Sequence, residues 1–172
     1  MVDVLASNIN FANGVAVDKD ESYVIVSETF SSRVLKYHLK GDRAGQLELI
    51  VPELPSLPDG ADCDFSTGFC YIPMPTGPLP IVKFLFSLPQ VIEKHLRTLI
   101  MILPRSLQPQ VLPYGGMVEI YPGSGEVPPS VSRIFLDPHG ETINFLTGVT
   151  VHENSIYLGS LENKYIGVYS LD

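Results

Sequence analysis

The sequence predicts an all-β chain: about three blades of a six-bladed β-propeller, with a helical insertion in the middle blade. Three observations carry this: dispersed turn formers, a unit of short strands that recurs, and one long break inside that unit. Fifteen prolines and fourteen glycines in 172 residues suit short strands and frequent turns better than a helical bundle. Hydrophobic residues at 45% against charged residues at 17% exclude a disordered chain, which needs the reverse balance.

The first unit begins with Phe11-Ala12-Asn13-Gly14-Val15-Ala16-Val17-Asp18, continues with Tyr23 to Ser27 and ends with Arg33 to Tyr37. The second begins with Leu57-Pro58-Asp59-Gly60-Ala61-Asp62-Cys63-Asp64, continues with Phe69 to Ile72 and resumes at Met117 to Tyr121. The third begins with Phe145-Leu146-Thr147-Gly148-Val149-Thr150-Val151-His152 and adds Ile156 to Ser160 and Tyr165 to Tyr169. In each, a glycine opens an alternating strand, a polar turn follows, and two more strands come after it. Period-two alternation of β-branched and aromatic residues between turns is the antiparallel strand signal. Gln46 to Val51 and Ser132 to Leu136 fit outer strands. A recurrence near forty residues is propeller spacing. A β-sandwich explains the strands but not the matching places of Gly14, Gly60 and Gly148. The blades are expected at about 7–52, 53–127 and 128–172, with the insertion at 79–113.

Within the insertion, Leu88, Val91, Ile92, Leu96, Leu99, Ile100 and Leu103 share one helical face, opposite Glu93, Lys94 and Arg97. Ser87 is placed to cap this helix and Pro89 suits its first turn. At about fifteen residues it is too short to span a bilayer. Packing over the propeller, as a lid, is the first expectation. Contact of residues 84–103 with a membrane surface, aided by Phe84, Leu85 and Phe86, is the second.

A net charge of −8 excludes nucleic acid as partner, because phosphate binding needs a basic face. Met1 to Leu5 hold no basic segment followed by an apolar run, so no signal peptide is expected in this stretch. Cys63 and Cys70 flank a turn and are compatible with either a disulfide or two buried thiols. His38, His95, His139 and His152 lack ligand or triad spacing and are expected at the surface or in packing. No Gly-x-Ser-x-Gly elbow supports a serine hydrolase. Glu28 is expected to point outward from the end of its strand.

Asn13 and Asp59 stand immediately before two of the recurring glycines, where inner strands converge on a propeller axis. Such oxygen donors suit Ca²⁺, although on spacing alone both are accounted for by turn capping. Phe11 to Val17, Val26-Ser27-Glu28-Thr29 with Arg33-Val34, and Leu54 to Asp59 are similar to the strictosidine synthase-like family, which groups with paraoxonases and gluconolactonases. That resemblance implies blades four to six of a six-bladed ring, with Asn13 and Asp59 at two calcium-ligand places. Gly60 fits the gluconolactonase pattern and departs from the paraoxonase one. The glutamate ligand of those families belongs to their first blade, outside the matched stretch. The resemblance also implies a small ester or lactone as substrate, lactonase or arylesterase chemistry, and a secretory, vacuolar or endoplasmic reticulum setting. It aligns Thr147 with the glutamate used in strictosidine condensation, and threonine is no general base near neutral pH, so that activity is not expected. No catalytic residue is assigned. The alternatives are a non-catalytic binding or membrane-associated scaffold, an inactive fragment, or self-association through open blade edges.

Overall fold

A computed structural model describes residues 2–80, 84–85, 88–104, 107 and 111–171. Short alternating segments separated by turns fold here as three antiparallel sheets, each following chain order. The first sheet comprises β1 (Ala12–Val17), β2 (Tyr23–Glu28), β3 (Arg33–His38) and β4 (Leu47–Val51). The second comprises β5 (Asp62–Cys63), β6 (Cys70–Met74), β7 (Gly115–Tyr121) and β8 (Ser130–Asp137). The third comprises β9 (Leu146–His152), β10 (Ser155–Ser160) and β11 (Gly167–Ser170). The first strand of each sheet neighbours the first strand of the next, β1 beside β5 and β5 beside β9. Sheets that share an inner edge and fan outward are propeller blades, so the chain is a partial β-propeller.

The expected boundary at 128 needs correction. It assigns Ser130–Asp137 to the third blade, whereas this strand pairs with β7 along its length and closes the second sheet. The physical reason is proximity: β7 and β8 are joined by a short turn, where Ser124 and Val127 form a two-residue bridge.

The middle sheet is covered on both faces, and its sequence shows it. All five residues of β6 are buried, alternating between two clusters. Cys70, Ile72 and Met74, with Val118 and Ile120, pack against Ile25, Val34, Val51 and Leu54 of the first blade. Tyr71 and Met117 face the other way, against Leu146, Val149 and Ile156 of the third. Aspartates hold the hairpin turns, Asp18 partly buried and Asp64 buried. Asp18 accepts from the Ser22 and Tyr23 amides at 2.6 and 2.9 Å, and Asp64 accepts from Ser66 and Thr67.

Cys63 and Cys70 are directly opposed across β5 and β6 and form a disulfide, with Cα atoms 4.0 Å apart. The bond ties down a strand only two residues long. Lys36 joins the first two blades from inside. Its ammonium donates to the Pro122 and Gly123 carbonyls at 3.0 and 2.8 Å and lies 4.2 Å from the Tyr23 ring centroid. Burial pushes its pKa down, against the pull of Glu48.

Glu28 also corrects an expectation. It is fully buried rather than outward. Arg33 stands directly opposite on β3 and donates to its carboxylate, and the Asn10 amide adds a bond of 2.6 Å. Burial disfavours the charge, but these donors outweigh it and hold the pKa below the usual range.

The insertion lies between β6 and β7 and carries helix α1 (Gln90–Ile102). Pro89 occupies the position before its first turn, and no side chain caps it. The predicted cap, Ser87, lies outside the described residues. Among the described residues α1 makes no extensive contact with any strand. Val91, Ile92, Leu99 and Ile102 are exposed.

Candidate axial site

The site begins with two glycines. A Cβ on Gly14 would stand 2.3 Å from the Gly60 carbonyl carbon and 2.4 Å from the Asp59 oxygen. Only hydrogen allows β1 to lie this close to the entry of β5. Gly60 in turn approaches the third blade, donating its amide to the Thr147 carbonyl at 3.1 Å. The residues just before these glycines are therefore drawn to a common axis.

Hydroxyl groups from the first blade fix the approach. The Ser27 oxygen accepts the Gly14 amide at 2.6 Å, and its proton goes to the Asp59 carbonyl. Thr29 donates to the Pro58 carbonyl at 2.7 Å, and the Asp59 amide reaches the Pro73 carbonyl at 2.9 Å. Ser27 thus holds the Asn13 and Asp59 segments together. Sequence reasoning did not assign Ser27 this role. Its signal was a small hydroxyl following the apolar run Val24-Ile25-Val26 near the end of β2.

The Asn13 amide lies near enough to the Asp59 carboxylate to influence its ionisation. Asn13 is exposed, whereas Asp59 is partly buried. Burial raises the Asp59 pKa, and the Asn13 amide only partly offsets this. No Lys or Arg ion pair to Asp59 is present among the described residues. A desolvated carboxylate beside an amide, without a cation, is a donor set that fits part of a divalent-cation shell. It is not a complete one, since Ca²⁺ takes six to eight oxygens. Among the described residues no group of three or more His, Cys, Asp or Glu could hold a metal.

Thr147 brings its backbone carbonyl to the axis, where the Gly60 amide takes it. Its half-buried side chain carries no acid or base that titrates near neutrality. His38 is buried against Glu48 at 2.9 Å, and His95, His139 and His152 are exposed. An apolar cleft of about 540 Å³ opens elsewhere, between the second and third blades, lined by Met117, Phe135, Leu146, Leu158 and Tyr169.

A second buried carboxylate stands at that junction. Glu119 accepts from Arg133 at 2.6 and 3.0 Å and from the Tyr71 hydroxyl at 3.0 Å. Burial opposes its charge, yet the Arg133, Ser132 and Tyr71 bonds win and lower its pKa. The Tyr71 phenol is raised by burial and by Glu119. This carboxylate is fully occupied and is structural.

The family profile described as strictosidine synthase matches residues 1–42. The protein STRICTOSIDINE SYNTHASE-LIKE 10 of Arabidopsis thaliana is 30% identical over 98% of this chain and 43% of its own length. The adipocyte plasma membrane-associated protein of Salmo salar is 29% identical over 96% of this chain and 38% of its own length. The chain thus spans about two fifths of the curated relatives it matches. A crystal structure of the nidogen/laminin complex overlaps 96% of this chain and 61% of that chain, at 11% identity and a TM-score of 0.42. The propeller assignment stands on the sheets themselves and not on that overlap. Over nearly its whole length the chain is therefore similar to members of the strictosidine synthase-like family, and its first 42 residues match that family's profile.

Proposed function

We propose that Asn13 and Asp59 supply part of a Ca²⁺ site in a propeller hydrolase acting on small lactones or aryl esters. The observation that supports this is the desolvated Asp59 carboxylate, relieved by an amide and by no cation, at the point where three blades converge. Bound Ca²⁺ would polarise the ester or lactone carbonyl and offset the oxyanion charge. The chain's own contribution is placement. Ser27 locks the Asp59 backbone to Gly14, so the carboxylate and the Asn13 amide stay in register while their surroundings exclude part of the water. Thr147 offers no general base, so proton transfer in this reading goes to water or to a residue beyond the axial pair.

A thermal melt with and without Ca²⁺ tests the metal. A ligand that binds only the folded state at about a hundredfold excess over Kd adds about 2.7 kcal/mol and raises the midpoint. The expected result is a Ca²⁺-dependent rise that Asp59→Ala abolishes. A wild-type midpoint indifferent to Ca²⁺ overturns the site. Asn13→Ala and Asp59→Ala should also each abolish aryl-ester and lactone hydrolysis by the intact protein, and unchanged rates would overturn the catalytic reading.

A further inference from the structure

Two features of helix α1 point to the same partner. The first is its uncovered apolar side. By helical spacing Val91, Ile92, Leu99 and Ile102 share one arc with the exposed His95, and each of these four apolar residues is between 49% and 72% exposed. Leu96, Ile100 and Leu103, farther round the same apolar face, are only partly exposed. Before and after the helix, Phe84, Leu107, Val111 and Leu112 are also exposed. Thirteen residues make a helix of about 20 Å, shorter than a bilayer core of about 30 Å. No helix among the described residues is long and apolar enough to cross a membrane.

The second feature is charge. Between residues 75 and 114 stand Lys83, Lys94, Arg97 and Arg105 against a single acid, Glu93, a formal +3. The chain totals −8, so the remaining residues carry −11. Lys94 and Arg97 fall outside the exposed apolar arc by helical spacing. A short helix with an apolar side and flanking cations suits the interface of a bilayer, where the apolar side enters the acyl boundary and the cations meet phosphates. The acidic sheets would be repelled by the same surface, so the charge split also fixes which end of the molecule approaches.

We infer that α1 is a docking element for anionic lipid bilayers, lying in the headgroup plane with Val91, Ile92, Leu99 and Ile102 inserted. The inference is independent of the axial metal site and predicts binding with or without Ca²⁺.

The chain contains no tryptophan, so one introduced on the helix reports on that place alone. Leu99→Trp is mixed with phosphatidylcholine vesicles, and with vesicles in which about a quarter of the lipid is phosphatidylserine. The expected result is a blue shift on the anionic vesicles only, reversed by high salt. Adding Lys94→Glu and Arg97→Glu should weaken binding about 25-fold or more, at roughly fivefold for each cation lost. An unshifted emission, an equal shift on neutral vesicles, or undiminished binding of the charge variant overturns the inference. So does a protein-concentration-dependent shift without lipid, which assigns the face to a second copy. Should Leu99→Trp fail to melt cooperatively, Val91→Trp, at the more exposed end of the arc, gives the same readout.

Discussion

Gly14, Gly60 and Gly148 occupy matching places in three units, yet their neighbours differ. A Cβ at Gly14 meets two backbone groups of the next blade at 2.3–2.5 Å. At Gly60 it meets one backbone oxygen, Thr147 O, at 2.7 Å, and the next contact is at 3.6 Å. At Gly148 the nearest atom among the described residues is the Gly159 Cα at 3.9 Å, an ordinary contact within the same sheet. The recurrence therefore has a spatial cause that depends on the following blade. Where one inner strand leans on the next, a glycine is required, and its preceding side chain is carried to the axis.

The largest effect should come from Gly14→Ala. Neither clashing group can yield without separating β1 from the entry of β5, which also breaks the Ser27 bridge. A loss of about 4 kcal/mol or more, enough to erase a cooperative melt, is expected by circular dichroism. Gly60→Ala should cost about 3 kcal/mol, because a single carbonyl has to move. If the two substitutions rank in reverse, backbone packing is not what selects these glycines.

This contrast also separates what was legible in the sequence from what was not. The repeat, the turn aspartates and the helix could be read because each is set by neighbours in the chain: Asp18 bonds residues four and five ahead, and Asp64 bonds residues two and three ahead. Asn13 and Asp59 were legible as a pair through their position before a glycine. Glu28 was misread because its burial depends on the register that sets Arg33 opposite it. Glu119 was not singled out, since its partners Tyr71 and Arg133 lie 48 and 14 residues away. The cysteine pair stayed open because a turn allows both states, and only the strand register brings Cys63 opposite Cys70. The helix was legible as a helix, but what covers it is a tertiary fact.

The second blade junction offers a milder break. Arg133→Leu leaves the buried Glu119 with the Ser132 and Tyr71 hydroxyls as donors. A fully buried pair would lose 3–5 kcal/mol. Arg133 is half exposed, so water can replace part of its bond and about 2 kcal/mol is expected from urea melts. The pH dependence carries the same sign. The folded Glu119 pKa lies below its unfolded value, so its stabilisation is present above the usual carboxylate range and fades as pH falls through the folded value. Wild type and variant should differ at pH 7, begin to converge as pH falls through the usual carboxylate range, and meet only below the lowered folded value. A difference that persists in acid would assign the loss to packing of Arg133 over the Phe135 ring instead.

Ser27→Ala probes the first junction without adding volume. It leaves the Gly14 amide and the Asp59 carbonyl short of a partner in a buried place, at about 1.5 kcal/mol, or a few degrees in the midpoint. A wild-type midpoint would mean that the glycine contact alone holds the axial pair.

Gly148→Ala should have the smallest effect, within about 0.5 kcal/mol of wild type, and it tests the account most directly. The backbone at Gly148 lies outside the positive-φ region, so alanine can adopt it, and the added Cβ enters ordinary contact. An alanine strand residue also loses less conformational entropy on folding than glycine, which pulls the balance slightly toward stability. If the midpoint of Gly148→Ala matches wild type while Gly14→Ala fails to fold, glycine at this step of the repeat answers to the neighbouring blade. If Gly148→Ala is as damaging as Gly14→Ala, the glycine is demanded from within its own sheet, and close approach of inner strands is not the reason the motif recurs. The same variant placed in the intact protein sharpens the point. A loss that appears only there would locate a further inner strand against Gly148, in the way Gly60 lies against Gly14.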